Sequence, residues 1–329
     1  MPNNIVSRRH DILILFDVTN GNPNGDPDAG NLPRMDPTTN KGLVSDVCLK
    51  RKVRNFVSQF PRERIGDDGN GFNILVQQGN ILNNELDRGI KAATADFDKK
   101  ATDKQKAEAA MRWLCREFYD VRTFGGVLST GADVLKGSAY GQVRGPIQFT
   151  FGRSQDPITP LEISITRCAV TKPEDEKKER TMGNKHIVPY ALYVAKAFVS
   201  PVFAERTGFT NDDLELFFEA LQHMFDHDQS AARAEMTVRG VYDFEHVGTQ
   251  HENNAAQNGR EAKLGCAHAH KLFENVHIES ADKEKEYPEV FQDYHVTDDW
   301  PDKGSDEIVV PGVKIHRRVD PRTSVEASA

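Results

Sequence analysis

The hydrophobic pattern at the start of the chain predicts a buried strand, a long loop and an amphipathic helix. Ile12 to Phe16 is a continuous apolar run, which is typical of a strand buried on both faces. From Asn20 to Gly42 the chain is rich in Asn, Gly and Pro, which disfavour regular structure and predict a loop. From Leu43 to Phe60 the apolar residues recur at helical spacing and predict a helix with one buried side.

The rest of the pattern predicts an α+β fold. Apolar segments predict strands at 72–77, 147–151, 163–167, 190–199 and 237–244. Helical spacing predicts helices over 103–118 and from Thr210 onward, where Asp213 follows at the third position of a capping box. With insertions set aside, the order is strand, helix, strand, strand, helix, strand. This is the split βαβ order of ferredoxin-like folds and RNA-recognition domains.

Length and composition indicate a cytoplasmic protein with one enlarged domain. The chain has 329 residues, of which 38% are hydrophobic and 28% charged. We expect one domain with insertions, including a polar, mobile loop at 250–262. No apolar run reaches the length of a membrane span, and the first residues lack a secretory signal pattern. The four cysteines are widely spaced without a CxxC pair, which favours reduced thiols.

The charges are unevenly distributed along the chain. The formal net charge is -8, yet the stretch from Arg34 to Arg64 carries eight basic and three acidic residues, a local balance of +5. Screening limits charge interactions to about 8 Å, so the local distribution decides what the surface attracts. A basic stretch can also arise by chance in a chain of this size. Geometry is therefore needed to interpret it.

Three of these basic residues lie on one side of the predicted helix. Lys50, Arg51 and Arg54 project within an arc of about 100°, opposite the apolar side. We expect Lys50 and Arg54 to have no acidic residue four positions away, and the three cations to repel one another. A phosphate chain would relieve that repulsion. The alternative interpretation is a solvated helix surface on which the small free-energy cost of this repulsion is tolerated.

Two further segments place an arginine beside glycines. They are 121–126, with Arg122, Gly125 and Gly126, and 141–148, with Arg144 and Gln148. Glycine lets a backbone approach a ligand closely, and arginine can bind a phosphate through its fork of donors. A turn glycine next to a surface arginine is the alternative for either segment.

The search for catalytic chemistry leaves only weak candidates. GxxxxGK[ST], GxGxxG, GxSxG, HExxH and paired CxxC motifs are absent from the sequence. His223 and His227 lie four apart on a predicted helix, but on its solvent side, so we expect no shared metal. Cys266, His268 and His270 alternate in a stretch predicted to be helical, where such positions diverge. We expect no metal there either.

Four early acidic residues keep one enzymatic alternative open. Carboxylates could hold Mg²⁺ for phosphodiester cleavage, although aspartate is also a common turn former. The residues concerned are Asp17, Asp26, Asp28 and Asp36.

Several motifs together resemble one known family. The segments that carry the resemblance, in chain order, are FDVTNGNPNGDP, DVRTFGG, GQVRGPIQFTFGRSQDPI, TMGNKHIVPYALY and FDHDQSAARAEM. They resemble the Cas seven superfamily, and specifically the type I-C backbone subunit of the CRISPR surveillance complex called Cascade. The resemblance runs from about Ile12 to Val276 and leaves the acidic segment 279–329 without a role.

The resemblance implies a non-catalytic subunit that polymerises along a guide crRNA and presents it to a target DNA strand. It implies an RNA-recognition palm with helical fingers at 84–118 and a thumb hairpin at 171–189. The implied partners are further copies of the chain and Cascade subunits of the Cas five and Cas eight types and the small subunit, with no membrane, cofactor or metal. The expected RNA-binding residues are Asn20, Asn22, Asn24, Arg34, Ser45, Lys50, Arg51, Arg54, Arg122, Gly125, Gly126, Arg144, Gln148, Arg153, Met182, Lys185 and His186.

One departure and two alternatives qualify the resemblance. The aromatic signature of ordinary RNA-recognition domains is missing from the predicted strands, which favours contacts with the RNA backbone over base stacking. Related type III subunits cleave RNA with an early-loop aspartate, so a metal-dependent endoribonuclease is the first alternative. A zinc-stabilised adaptor that uses Cys266, His268 and His270 is the second.

Overall fold

The computed structural model describes residues 4–61, 71–97, 101–129, 134–169, 172, 182–233, 235–249, 254–301 and 310–322. The described strands are β1 (His10–Gly21), β2 (Gly25–Asp26), β3 (Leu32–Pro33), β4 (Lys41–Val44), β5 (Gly125–Val127), β6 (Gln142–Arg144), β7 (Ile147–Phe149), β8 (Gly152–Pro157), β9 (Leu161–Thr166), β10 (Met182–Val199), β11 (Glu235–His246), β12 (Val276–Ser280), β13 (Tyr294–Asp298) and β14 (Val313–Val319).

The described α-helices are α1 (Asp46–Gln59), α2 (Leu82–Thr94), α3 (Asp103–Glu117), α4 (Tyr119–Phe124), α5 (Pro201–Thr207), α6 (Asn211–His223), α7 (Ala255–Leu264) and α8 (Ala269–Phe273). Short 3-10 turns lie at Pro27–Ala29 and Phe291–Asp293. None of the described helices is long and apolar enough to cross a membrane.

A large antiparallel sheet forms the centre of the fold. Its strand order is β14-β11-β1-β10-β8-β4, and β7 and β9 also pair with β10. β1 lies inside the sheet between β10 and β11, and both of its faces are covered. This position explains the continuous apolar run, because a strand covered on both sides has no solvent face on which to alternate.

One face of the sheet packs against α1 and α6. Ile12, Ile14 and Phe16 point to this side. The Phe16 ring stacks on Tyr193 from β10, with ring centroids 5.4 Å apart. α6 begins where predicted, because the Thr210 side chain accepts from the Asp213 backbone N–H and the Asp213 carboxylate accepts from the Thr210 N–H. The two helices therefore cover a continuous apolar core.

The opposite face of the sheet is covered by the C-terminal part of the chain. Leu13 and Leu15 of β1 belong to a second core that includes Phe273, Phe291 and Trp300. These residues come from α8 and from the segment that contains the β12–β13 hairpin. Part of the segment left without a role by the sequence, including Phe291 and Trp300, thus helps to cover this face of the sheet.

A helical hairpin outside the sheet has its own small core. α2 and α3 pack together around Leu86 and Leu114. Gly89 of α2 makes this packing possible, because a Cβ there would lie 2.8 Å from the Leu114 side chain. The hairpin falls in the region where helical fingers were expected.

Three local predictions are wrong. Segment 72–77 forms only a single bridge at Asn73, because the Asp120 carboxylate accepts the backbone N–H groups of Leu75 and Val76. The polar loop expected at 250–262 overlaps α7, which Asn254 caps by accepting from the Gln257 N–H. The helix expected around Cys266 begins only at Ala269.

Candidate nucleic-acid interface

The loop after β1 is hydrogen-bonded to the start of α1. Ser45 caps the helix by accepting from the Cys48 N–H. The Asn24 side-chain oxygen accepts from both the Ser45 N–H and the Ser45 hydroxyl, each at 2.9 Å. The predicted loop and the predicted basic helix therefore form one surface. Asn24 and Ser45 hold the two parts together.

Two neighbouring asparagines of this loop have different surroundings. Asn20 is exposed and has a left-handed backbone with φ of 49°. Asn22 is 4% exposed, and its Nδ2 donates to the Asn31 carbonyl at 2.7 Å. Asn20 is therefore accessible to a ligand, whereas Asn22 stabilises the loop from inside.

Lys50 and Arg54 are held in place by specific partners. The expectation that they lack a carboxylate is wrong, because Lys50 pairs with Asp46 one helical turn earlier at 3.1 Å. Arg54 pairs with the buried Asp120 at 2.9 Å. The Phe124 ring lies near both cations, 5.9 Å from Lys50 and 5.3 Å from Arg54. These contacts relieve the repulsion that the helix alone would carry.

Arg51 is the exposed cation of the same helix. Its only hydrogen bond among the described residues is a long one, at 3.5 Å, to the Gln78 side chain. Lys50 and Arg54 lie beside it with side chains only 13% and 12% exposed. The helix thus presents one accessible guanidinium next to two oriented cations.

Arg122 is a structural residue, which corrects its assignment to RNA binding. The side chain is buried, and its guanidinium binds both carboxylate oxygens of Asp213 at 2.8 and 2.9 Å. The remaining donors bind the carbonyls of Gly71, Cys115 and Arg116. No donor of Arg122 is left for a phosphate. Arg122 was predicted to bind RNA, but it stabilises the fold instead.

The two glycine segments form a small hairpin in which Gly125 pairs with Arg144. Gly125 has φ of 76°, and a Cβ there would lie 2.1 Å from the Val143 carbonyl oxygen, so only glycine fits. Gly126 and Arg144 are exposed, and the Arg144 guanidinium lies 5.2 Å from the Phe203 ring centroid. This hairpin presents Arg144 to solvent.

Gln148 connects this hairpin to α1. Its amide donates to the carbonyls of Phe124 and Gly145, both at 3.2 Å. Its oxygen accepts from Lys50 Nζ at 3.3 Å. Gln148 therefore positions Lys50 and is itself largely occupied.

Each early aspartate except Asp28 is engaged within the fold. Asp17 is buried against Arg239 at 2.8 Å, and burial raises the pKa of its carboxyl group. Asp26 pairs with Arg34 at 3.4 Å. Asp36 pairs with Arg153, and hydrogen bonds from the backbone of Thr38 and the side chain of Thr39 lower its pKa. Asp28 is exposed.

The other metal candidates are not assembled into a site. His223 bonds Asp226 at 2.8 Å, while the His227 ring lies 4.9 Å from that of Phe60. His268 and His270 stack with ring centroids 5.7 Å apart. Within the described parts of the chain, no group of three or more His, Cys, Asp or Glu residues is placed to bind a metal ion.

A two-stranded hairpin projects from the sheet where the thumb was expected. Its strands are β9 and the first part of β10, paired from Leu161↔Ile187 to Thr166↔Met182. It therefore begins ten residues before the predicted start at 171, and of the predicted span only 172 and 182–189 lie within the described residues. Met182 is 70% exposed, and both faces of β9 are open.

Lys185 and His186 lie near the base of this hairpin. Lys185 Nζ donates to the Ala231 carbonyl at 3.4 Å. His186 is half-buried, and its Nδ1 has no hydrogen-bond partner among the described residues. Both residues therefore lie closer to the sheet than the thumb tip predicted for them.

The sequence interpretation missed the turn that Lys185 contacts. Asp228, at its start, accepts from the nearly buried Lys52 of α1 and from Asn55 at 3.3 Å. Arg233, at its end, lies 3.3 Å from the same carboxylate. The available signal was the motif FDHDQSAARAEM, whose residues were not assigned individually.

Comparisons with known proteins identify related chains. A family model described as "CRISPR-associated protein Cas7" matches residues 8–299. A curated "CRISPR-associated protein Cas7" from Haloferax volcanii is 28% identical over 219 residues, which cover 63% of this chain and 61% of the relative. The chain thus matches less than two thirds of that relative's length.

Solved structures give more distant similarities. A chain of a "CRISPR RNA-guided surveillance complex, pre-nicking" is 14% identical with a TM-score of 0.44, and the match covers 72% of this chain and 78% of that one. A chain of a "Cryo-EM structure of the Type III-B Cmr-beta bound to cognate target RNA" is 10% identical with a TM-score of 0.37, covering 71% and 60%.

Proposed function

This chain belongs to the CRISPR-associated Cas7 family, and from that membership we propose that it is a non-catalytic backbone subunit of a CRISPR surveillance complex. In this role copies of the chain line up along a guide crRNA and bind its backbone independently of sequence. The guide then pairs with a target DNA strand, so specificity belongs to base pairing. The type I-C branch is the finer assignment that the motif series favours.

The observation that carries the proposal is the arrangement of cations on α1. Arg51 is exposed, and Lys50 and Arg54 beside it are oriented by Asp46, Asp120 and the Phe124 ring. Oriented cations lose little conformational entropy when a phosphate binds. They lie in a chain whose net charge is -8, so attraction to polyanions is local to this surface.

The layer structure supports backbone recognition over base stacking. Ordinary RNA-recognition domains stack bases on an open sheet face. Here the face that contains Leu13 and Leu15 is covered by the C-terminal layer with Phe291 and Trp300, and the other face is covered by α1 and α6. We therefore propose that the RNA lies on α1 and the neighbouring loops. A palm of RNA-recognition type is proposed from the order β1, α1, β8, β10, α6, β11.

The remaining assignments extend the proposal to partners and further contacts. Asn20, Arg144, Met182, Lys185 and His186 are proposed RNA contacts, with the β9–β10 hairpin as the thumb. Arg34, Arg153 and Gly126 are proposed to lie along the same surface. The proposed protein partners are further copies of the chain and the other Cascade subunits.

The engagement of the early aspartates supports a role without catalysis. Asp17, Asp26 and Asp36 each neutralise an arginine, so none is free to bind Mg²⁺ without breaking an ion pair. Incubation of the protein with labelled RNA and Mg²⁺ tests this part. Specific products that disappear in Asp28→Asn, the exposed member, would contradict it.

A charge reversal on α1 tests the RNA-binding part. We expect Arg51→Glu to reduce the nucleic acid that copurifies with the protein and to shorten the assemblies. The matched control is Arg112→Glu, an equal charge change at an exposed position of α3. Equal RNA content in the wild type and both variants would contradict the proposal. Sequencing the bound RNA then shows whether it derives from CRISPR repeats.

A further inference from the structure

The turn 228–233 lies where the proposed RNA-binding elements meet. The Asn22 backbone N–H, from the loop after β1, donates to the Ala232 carbonyl at 2.6 Å. Lys185, at the base of the proposed thumb, donates to the neighbouring Ala231 carbonyl. Asp228 accepts from Lys52 of α1. An RNA strand that passed from α1 to the thumb would therefore cross this turn.

The turn borders the side of α1 opposite to Lys50. At about 100° per residue, Lys50 and Arg54 lie on one side of the helix and Arg51 lies at its exposed crest. Lys52 and Asn55 lie beyond the crest, and both contact Asp228. The turn thus lies next to the Lys52 side of α1. On that side the helix itself has no exposed cation.

Arg233 is more accessible than two of the three cations recognised on α1. Its side chain is 41% exposed, compared with 13% for Lys50 and 12% for Arg54. Among the described residues, its buried Nε has no hydrogen-bond partner, although it lies 3.3 Å from the Asp228 carboxylate. Arg233 and Lys52 share the single carboxylate of Asp228, which leaves one positive charge in excess.

We infer that the turn 228–233 is a second phosphate-binding subsite, in which Arg233 binds a phosphodiester of the RNA between Arg51 on α1 and Lys185 at the thumb base. A guanidinium can donate two parallel hydrogen bonds to one phosphate. The exposed Ser230 and Ala231 carry small side chains, so an RNA backbone can come close to the turn. The inference rests on the proposed function.

The salt dependence of RNA binding tests the subsite. For single strands, the slope of log affinity against log salt changes by about 0.7 for each phosphate that the protein neutralises. We expect Arg233→Gln to weaken binding of a single-stranded RNA and to reduce the slope by about this amount. Arg233→Lys should restore most of the slope. Asp228 keeps Lys52 as a partner in both variants, so the fold should survive.

Arg8→Gln is the matched control. Arg8 is an exposed, ion-paired arginine beyond the His10 end of β1, whereas the turn contacts the loop at the Gly21 end. At about 3.3 Å per strand residue, the two sites are about 40 Å apart. The control variant should keep the wild-type slope. Thermal unfolding of each variant verifies that it is folded.

The outcomes separate the subsite from the function on which it rests. A folded wild-type protein that does not bind RNA overturns both. Wild-type binding with an unchanged slope in Arg233→Gln overturns the subsite alone. Weaker binding by Arg233→Gln and Arg233→Lys alike, without a change in slope, indicates a structural role and also overturns the subsite. A smaller slope in Arg233→Gln alone supports it.

Discussion

Arg122 and Asp213 form a buried ion pair that connects α4 to the first turn of α6, with nitrogen–oxygen distances of 2.8 and 2.9 Å. Asp213 also completes the capping box of α6 with Thr210. The pair therefore joins the helix that carries Phe124 to the helix that covers the sheet. The ion pair does not itself belong to the candidate interface, but it fixes the helix that carries Phe124, whose ring contacts Lys50 and Arg54.

Removing one partner of this pair should destabilise the protein strongly. Arg122→Leu leaves the Asp213 carboxylate buried and uncompensated, which typically costs about 3–5 kcal/mol. Urea unfolding followed by circular dichroism measures the decrease in stability. The control is Arg112→Leu, which removes an exposed i,i+4 pair with Glu108 worth about 0.5 kcal/mol or less. Equal decreases in the two variants would contradict the structural role of Arg122.

Phe124→Leu should weaken RNA binding without changing its salt dependence. The ring lies beneath both Lys50 and Arg54, and a cation–π contact is worth about 0.5–2 kcal/mol depending on solvent access. Removal of the ring frees the two side chains but keeps their charges, so the number of phosphates that they neutralise stays the same. Affinity titrations at several salt concentrations check this. A reduced slope would show that the two cations no longer reach the phosphates.

Gly125→Ala should disrupt the hairpin that presents Arg144. A Cβ at this position would meet the Val143 carbonyl oxygen at 2.1 Å, and the backbone has a positive φ. The expected cost is above about 1 kcal/mol in unfolding free energy. Gly126→Ala is a matched control, because a Cβ there meets only the Leu128 side chain at 3.9 Å. A similar stability of both variants would disprove the strain at Gly125.

His10 should make the protein more stable at mildly acidic than at alkaline pH. Burial opposes the charging of the ring, but the Asp243 carboxylate at 2.8 Å, helped by Glu245, outweighs it and raises the His10 pKa above 6.5. A group whose pKa is raised by folding stabilises the folded state fully at pH values below its pKa in the unfolded chain, about 6.5. It loses this stabilisation as the pH rises through its pKa in the folded protein. Unfolding free energies from pH 6 upward should therefore fall.

The His10→Asn variant tests the assignment of this pH dependence. It should show a flatter profile above pH 6 than the wild type. His277→Asn, at an exposed histidine paired with Asp299, should keep the wild-type profile. A wild-type profile in His10→Asn would mean that another group is responsible.

The main elements of the fold could be predicted because their apolar residues are local in sequence. The central position of β1 and the start of α6 at Thr210 both follow from short stretches of residues. The covering layer that contains Phe291 and Trp300 could not be predicted in the same way. Its apolar residues are dispersed among acidic ones, and they become a pattern only when packed against the sheet.

The candidate site shows the same division between local and distant information. The cationic side of α1 was predictable from spacing, and so in principle was the Asp46 partner of Lys50. The partners Asp120 of Arg54 and Asp213 of Arg122 lie 66 and 91 residues away along the chain. Only the fold distinguishes Arg122, which is buried in a salt bridge, from Arg144, which faces solvent.

The layer at 269–300 has a consequence for the order of events during synthesis. Leu13 and Leu15 emerge first, but the residues that cover them are made more than 250 positions later. At about 5–20 residues per second, that side of β1 waits at least about 10 seconds for its cover. Until residues 269–300 have emerged from the ribosome this side of the core stays uncovered, and transcripts that end before Trp300 should yield aggregating fragments.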